Sequence, residues 1–190
     1  MLKYPDVRDY IFVHDLLSEE ECDKIIARLN KRNKWREHKW YDAAEFDYKN
    51  HSDFDTCSDH RSIGMITPKF NELLEAYSKK YTDKENTNSD INWARVSPIK
   101  FNRYSVGQSI EAHHDHIHDM FDGNIRGIPV SSIIGVLNDD YEGGELIFWN
   151  QHHVPLKKGQ VAVFPSVFLF PHSVNAVIRG VRYSWACFCA

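Results

Sequence analysis

The stretch VSSIIGVLNDDYEGGELIFWNQHHVPLKKGQVAVFPS, residues 130–166, decides the fold. Its apolar runs at 130–137, 145–149 and 160–164 are each too short for a stable helix and are rich in Val, Ile and Phe. Between them stand Asn138-Asp139-Asp140, Gly143-Gly144 and Lys158-Gly159. Such residues mark turns, because Asn and Asp bond their own backbone and Gly accepts left-handed dihedrals. Gly143-Gly144 reads as a tight turn with no phosphate role, since no helix signal follows it. The texture continues outward. Upstream lie the runs 91–104 and 109–115, parted by Gly107; downstream lie 167–171 and 181–188, parted by Arg179-Gly180. Seven or eight short strands at this spacing predict a β-sandwich or jelly roll.

Ahead of this β region the chain reads differently. Ser18 followed by Glu19, Glu20 and Glu21 is a capping box, with carboxylates at the positive end of a helix. Cys22, Ile25, Ile26 and Leu29 recur on one helical face, and Arg28, Lys31 and Arg32 suit its C-terminal end. A second helix is predicted from Thr67-Pro68, with Phe70, Leu73, Leu74, Tyr77 and Tyr81 as its buried face. Residues 35–62 are polar and aromatic with weak periodicity, which fits a strand pair plus a mobile loop; 82–90 reads as a solvated connection. The sequence therefore predicts an α+β, mainly β protein as one domain over 1–190. Residues 1–90 would be helical and loop support, and 91–190 the β core.

Composition narrows the function. The chain has 190 residues, 27 Asp+Glu against 23 Lys+Arg, a formal charge of −4, 11 His and 4 Cys. That charge argues against a sequence-independent nucleic-acid binder, which needs basic excess. No apolar run approaches the roughly 18 residues of a membrane span, and MLKYPDVRDY has no signal-peptide core. Cysteines at 22, 57, 187 and 189 form no CxxC pair, which fits a reducing, cytoplasmic setting. Cys187 and Cys189, on one strand face, read as packing residues. Asp42, Glu45, Asp47, Asp53, Asp55 and Asp59 would give 42–60 either an acidic rim that favours cationic partners or a solvated loop.

Four of the histidines fall within 113–118. On a strand, residues i and i+2 share a face, so His113 and Asp115 can address one metal while His114 points away. The third ligand comes from the downstream histidines, His152, His153 or His172. His172 sits in PHSV, after an apolar run and before the strand that carries Arg182. Two imidazoles and one carboxylate make the facial triad of non-haem Fe(II) oxygenases, which leaves positions open for O2 and a co-substrate. Arg182, ten residues on, is suited to a bidentate grip on a carboxylate. A buried arginine without a partner is costly, so the arrangement predicts an anionic ligand. Alternation puts Ser184, Ala186 and Phe188 on the face of Arg182, and Tyr104 could offer its hydroxyl to the same anion. His114, His116 and His118 read as surface residues or supports of the ligands. His152 and His153 read as exposed, in a turn between two strands.

The run from Tyr104 through Gly107-Gln108 to His113-His114-Asp115 resembles the Y-x-x-G-Q…H-x-D signature of prolyl 4-hydroxylase-type oxygenases. VLND (136–139), YEGGELIF (141–148), LKKGQVAVFPS (156–166) and PHSVNAVIRGVRYS (171–184) follow in the family's order, and the resemblance covers residues 99–188. DLLSEEECDKII resembles the family's helical lead-in, and FPSVFLFPHSV is similar in texture to compact phage and bacterial members. The resemblance implies a double-stranded β-helix that binds Fe(II) and 2-oxoglutarate and uses O2, with ascorbate as an optional addition. It implies iron on His113, Asp115 and His172, and the distal carboxylate of 2-oxoglutarate on Arg182 with support from Tyr104. Ile134, Val136, Leu146, Ala186 and Phe188 fall where the family lines the co-substrate pocket. Arg126 and Trp149 are candidate substrate residues, with Trp35, Trp40 and the segments 35–62 and 116–129 as rim.

The implied activity is hydroxylation of a prolyl residue in a peptide or protein, coupled to decarboxylation of 2-oxoglutarate to succinate and CO2. The implied location is the cytoplasm, that of the host for a phage-encoded chain. Alternative substrates on the same fold are a free amino acid, another side chain or a nucleobase. The last is disfavoured by the charge and the lack of a basic stripe. An alternative of another class is a non-catalytic jelly roll that holds zinc or nickel on the 113–118 cluster. Such a protein has no use for Arg182 and Tyr104.

Overall fold

The structure, a computed structural model, describes residues 6–42, 47–81, 96–115 and 129–189. Helix α1 (Glu19–Arg32) starts at its capping box. The Glu21 amide donates to Ser18 Oγ at 3.2 Å, and the Ser18 amide donates to the Glu21 carboxylate at 2.8 Å. Two otherwise orphaned amides are thereby satisfied. Helix α2 (His60–Ile66) is one the weak periodicity of 35–62 did not announce. Its start is fixed by Asp59, whose side chain accepts from the Ser62 amide at 2.9 Å. A 3-10 turn, Thr67–Lys69, with Pro68 near its start, leads into α3 (Phe70–Tyr81).

Thirteen strand segments make up most of the rest of the described residues. They are β1 (Phe12–Asp15), β2 (Arg36–Asp42), β3 (Asp47–Cys57), β4 (Lys100–Tyr104), β5 (Ile110–His113), β6 (Ser131–Val136) and β7 (Glu142–Gly143). There follow β8 (Leu146–Phe148), β9 (His152–Val154), β10 (Gln160–Pro165), β11 (His172–Val174), β12 (Val177–Arg179) and β13 (Arg182–Cys189). The major sheet has seven strands in the order β1-β10-β6-β13-β4-β3-β2, and the minor sheet four in the order β5-β11-β8-β9; β12 and β7 pair separately. The two larger sheets form the jelly roll that the spacing of short strands predicts. The first part of the chain supplies more than helices, because β1, β2 and β3 form both edges of the major sheet.

Alternation along the major sheet separates two cores. Phe101, Ile133, Val161, Val163, Trp185 and Cys187 face the helices and pack with Ile25, Leu29, Phe70 and Leu73. Tyr104, Ala162 and Phe164 face the minor sheet and pack with Leu146, Phe148 and Val174. Between the sheets the second core gives way to polar side chains, and that interior carries the site.

Two sequence expectations are corrected here. Residues 167–171 are a turn and not a strand, with the Phe170 amide donating to the Val167 carbonyl at 2.9 Å. Pro165 and Pro171 bracket the turn, and proline has no amide to give to a ladder. The strand instead begins at His172. His152 and His153 are not in a turn; they belong to β9 and pair with Phe148 and Ile147 of β8. The turn lies just before them, at Trp149 and Asn150, both with positive φ. His153 is exposed as expected, and His152 is half-buried. Residues 43–46 of the 35–62 segment, the 82–90 connection, and residues 116–128 with Arg126, His116 and His118 lie outside the described residues.

Candidate active site

His113 ends β5 and His172 opens β11, and the two are directly paired across the minor sheet. Their rings lie 4.4 Å apart between centroids. Asp115 follows two residues after the last ladder pair of β5. Its Oδ1 is 3.6 Å from His113 Nε2, and its Oδ2 is 3.6 Å from His172 Nε2. One ligand atom from each of the three lies within 4.8 Å of the others. The sequence placed His113 and Asp115 on one strand face; the strand itself stops at His113, but the i, i+2 relation still brings the two together.

Both imidazoles are held in the tautomer a metal needs. His113 Nδ1 is 2.8 Å from the Glu111 carbonyl, and His172 Nδ1 is 3.2 Å from the Phe170 carbonyl. A carbonyl only accepts, so each Nδ1 carries the proton and each Nε2 presents its lone pair toward Asp115. His172 is buried at 3% exposure, and burial is the main reason its basicity is lowered. Asp115 is oriented from behind by a chain of hydroxyls that the sequence reading missed. Ser132 Oγ donates to Asp115 Oδ2 at 2.6 Å and lies 2.8 Å from Ser166 Oγ. With its single proton given to the carboxylate, Ser132 accepts from Ser166. Alternation along β6 could have found Ser132, since it shares a face with Ile134 and Val136. Two imidazole nitrogens and one carboxylate, closed on one side and backed by hydrogen bonds, fit a divalent transition metal such as Fe(II).

Across the interior, Arg182 opens β13 opposite Tyr104 of β4. It is 1% exposed. Nη1 donates to Ser184 Oγ at 2.7 Å, while Nε is buried with no hydrogen-bond partner. No carboxylate pairs with it among the described residues, although a buried guanidinium is costly to leave unpaired. The donor set therefore fits a small anion such as a carboxylate. The strand start is fixed by Asn138, whose amide donates to the Val181 carbonyl and whose Oδ1 accepts from the Tyr183 amide, both at 2.7 Å. Gly144, at φ +66, backs onto the same side chain, and a Cβ there would lie 3.0 Å from Arg182 Cδ. The Gly143-Gly144 turn thus makes room for the arginine as well as reversing the chain.

The other expected residues distribute as follows. Val136 and Leu146 are buried, and Ile134, Ala186 and Phe188 are half-buried on the interior faces of β6 and β13. Tyr104 is 3% exposed and turns its ring face to Arg182, with the guanidinium carbon 5.1 Å from the ring centroid. Trp149 sits at the metal end of β8 with φ +52, an uncommon conformation for a bulky side chain. Its indole N–H donates to the Leu169 carbonyl at 2.9 Å and its amide to the Pro171 carbonyl at 3.0 Å, so it braces the turn ahead of His172. Trp35 lies away from the site, against Arg103 and Tyr183. The acidic rim expected at 42–60 is partly neutralised within the fold. Asp55 pairs with Arg103 at 2.6 Å, and Asp59 is 2% exposed between Arg28 and Arg32. The side chains of Trp40 and of residues 42–53 lie outside those described. No described helix is long and apolar enough to cross a membrane.

Comparison with known proteins agrees with this geometry. Residues 99–190 match the model of the 2OG-Fe(II) oxygenase superfamily. Among curated relatives, the chain is 37% identical over 108 residues to a PKHD-type hydroxylase of Paracoccus denitrificans, covering 50% of this chain and 43% of that protein. It is 27% identical over 152 residues to probable prolyl 4-hydroxylase 8 of Arabidopsis thaliana, covering 80% of this chain and 47% of that one. The chain thus spans less than half the length of these two relatives. Two solved structures share the fold. Viral collagen prolyl hydroxylase from Paramecium Bursaria Chlorella virus-1, as a 2OG complex, aligns with TM-score 0.64 at 18% identity over 95% of this chain and 94% of that one. A Trichoplax adhaerens prolyl hydroxylase, bound to a hypoxia inducible factor peptide fragment, aligns with TM-score 0.68 at 13% identity over 95% and 83%. The match to the 2OG-Fe(II) oxygenase superfamily takes in all three residues of the candidate metal cluster and Arg182.

Proposed function

We propose that the chain is a 2OG-Fe(II) oxygenase that hydroxylates prolyl residues in a peptide or protein. The observation that carries the reading is Arg182, buried and with no carboxylate partner among the described residues, which enters the jelly-roll interior from the major sheet, while His113 and His172 enter it from the minor sheet. A metal store would have no reason to bury that charge. His113, Asp115 and His172 would hold Fe(II), and Arg182 would hold the distal carboxylate of 2-oxoglutarate. When bound, iron and 2-oxoglutarate supply the coupled oxidation: 2-oxoglutarate, O2 and a C–H bond become succinate, CO2 and C–OH.

The chain's own residues do the rest. Ser132 and Ser166 keep the Asp115 carboxylate turned inward. The Glu111 and Phe170 carbonyls hold both imidazoles by Nδ1, which leaves each Nε2 to serve as the ligand atom when iron binds. Ile134, Val136, Leu146 and Ala186 would line the co-substrate and keep water from it, and a water-poor site strengthens the grip of Arg182 on a carboxylate. Phe188, half-buried at the far end of the same face, and Trp149 stand at the metal end, where a substrate would enter. A prolyl substrate is supported by the names of relatives over the matching region and by the apolar character of these side chains.

The test is a screen of proline-containing peptides for a gain of one oxygen by mass spectrometry, with succinate release measured in parallel. Both should require Fe(II) and 2-oxoglutarate, and both should vanish in His113→Ala and Asp115→Ala. Turnover that survives either substitution would rule out the iron assignment.

A further inference from the structure

Four side chains stand in file across the interior face of the major sheet, one from each of four adjacent strands. Arg182 on β13 is paired with Tyr104 on β4, and the pairing of Asp55 with Arg103 carries Phe54 on β3 next to Tyr104. A register shift between Glu37 and Lys39 on β2 re-aims His38 onto Phe54. The file is closely stacked. His38 and Phe54 have ring centroids 4.3 Å apart with planes 17° apart, and Phe54 and Tyr104 are 4.7 Å and 23° apart. The Arg182 guanidinium carbon lies 5.1 Å from the Tyr104 centroid. Phe54, Tyr104 and Arg182 are buried, and His38 at the outer end is half-exposed.

This file answers a physical problem the site poses. An arginine has several rotatable bonds to order, and among the described residues the hydrogen bond from Nη1 to Ser184 fixes one end of the guanidinium. A flat ring face attracts the cation through its quadrupole and also sets the plane in which the fork lies. That ring must itself be held, and Phe54 presses on it from the strand beyond.

We infer that Phe54, backed by His38, is a positioning residue for the co-substrate: it holds Tyr104 against Arg182 so that the guanidinium is already oriented for the distal carboxylate of 2-oxoglutarate. The β2–β3 pair, at the edge of the sheet, is thereby tied to co-substrate affinity. Preorganisation of this kind raises affinity by removing an ordering cost, without adding a contact to the ligand. The inference rests on the reading of Arg182 as the carboxylate clamp.

The experiment measures binding to the full chain loaded with Fe(II) under anaerobic conditions, read from the visible band of the keto-acid chelate. Two probes are used: 2-oxoglutarate, and 2-oxobutyrate, which has the same keto acid but no second carboxylate. Phe54→Leu keeps apolar volume and removes the flat face. It should raise the dissociation constant for 2-oxoglutarate about tenfold, the scale of an aromatic coupling, and leave 2-oxobutyrate and iron affinity unchanged. Phe54→Tyr should recover most of the loss, and His38→Ala should cost about two- to threefold, as the outermost and most hydrated member. Arg182→Met is measured alongside. If it leaves 2-oxoglutarate affinity intact, the clamp reading fails. If it abolishes that affinity while Phe54→Leu changes nothing, or weakens both keto acids and iron alike, the clamp stands and the positioning role is overturned.

Discussion

Strand β13 has two faces that share one backbone and differ in almost everything else. Tyr183, Trp185, Cys187 and Cys189 point toward the helices, into a core where Trp185 is the largest fully buried side chain. Arg182, Ser184, Ala186 and Phe188 point into the jelly roll, where a guanidinium nitrogen has no partner and two of the four side chains remain half-exposed. Packing on the helix side is so close that a Cβ on Gly135 would fall 2.1 Å from the Trp185 ring. One face is filled and satisfied. The other is left incomplete, and an incomplete, buried, charged surface is what a ligand can complete. Buried thiols follow the same division: burial pushes Cys189 up to about 12, so it stays an inert packing group.

The widest separation between the faces should come from Trp185 and Arg182. Trp185→Ala opens a cavity in the filled face and is expected to cost about 4 kcal/mol in urea unfolding. Co-substrate affinity per folded molecule should hardly change. Arg182→Met should do the reverse. It replaces a buried charge that has no carboxylate partner among the described residues with an apolar side chain of similar length, a change that is often neutral or stabilising. Stability without ligand should hold or rise, while 2-oxoglutarate binding falls about 100-fold, the scale of a lost charge-assisted pair at about 2–3 kcal/mol. Loss of stability in Arg182→Met would mean that the interior face is as much a packing surface as the other.

The two faces were unequally legible in the sequence. Apolar period two along 181–188 and the turn signals at 138–140, 143–144, 158–159 and 179–180 point to the sandwich, because strand alternation is written in residue type. H-x-D and the later His172 and Arg182 stand out for the same reason: a charged or metal-binding residue in an apolar strand breaks the pattern. Ser132 and Ser166 did not stand out. A serine is compatible with either face, and its role depends on which carboxylate lies across the gap. The turn at 167–171 reads as a strand in sequence because Val, Phe and Leu favour strands, and only the flanking prolines argue otherwise. Phe54 was invisible in a segment without periodicity, because its neighbours in the stack are set by sheet order and a bulge.

A buried charge on the helix side sharpens the contrast. Asp59 is as buried as Arg182, yet it accepts from Arg28 at 2.6 Å, from Arg32 at 2.5 Å, and from the Ser62 amide and hydroxyl at 2.9 Å. Burial alone would raise its pKa, but the hydrogen bonds from Arg28, Ser62 and Arg32 together hold it well below the usual carboxylate range. Its contribution is therefore fully present above the unfolded pKa of about 4 and is lost as pH falls through the lower folded value. Asp59→Asn should cost about 2–3 kcal/mol at pH 7, at the low end for a buried pair because both arginines reach solvent. Its unfolding midpoint should also be flatter than that of the parent chain between pH 5 and pH 3. An unchanged acid slope would show that Asp59 is not the group that senses pH.

Two neighbours on β6 divide in the same way, and one of them, Ser132, carries the smallest expected loss of stability. Ser132 points into the interior and donates to Asp115, while Ile133, the next residue, points into the helix-side core. Ile133→Ala should cost about 2–4 kcal/mol of stability through the cavity it leaves, and iron affinity per folded molecule should be unchanged. Ser132→Ala removes only a hydroxyl from a buried site, so the fold should lose about 1 kcal/mol. The carboxylate of Asp115 then loses the hydrogen bond that turns it toward His113 and His172, and Ser166 loses its acceptor. Iron affinity is expected to fall about tenfold, the usual scale for removing a partner of a metal ligand. The loss should appear in metal titration without 2-oxoglutarate present, since Ser132 reaches Asp115 and not the guanidinium. Ser132→Thr keeps the hydroxyl and should restore most of the affinity. A fall in iron affinity shared equally by Ile133→Ala would mean that the two faces of the strand are coupled through its backbone, and that the division between a packed face and a binding face stops short of the metal.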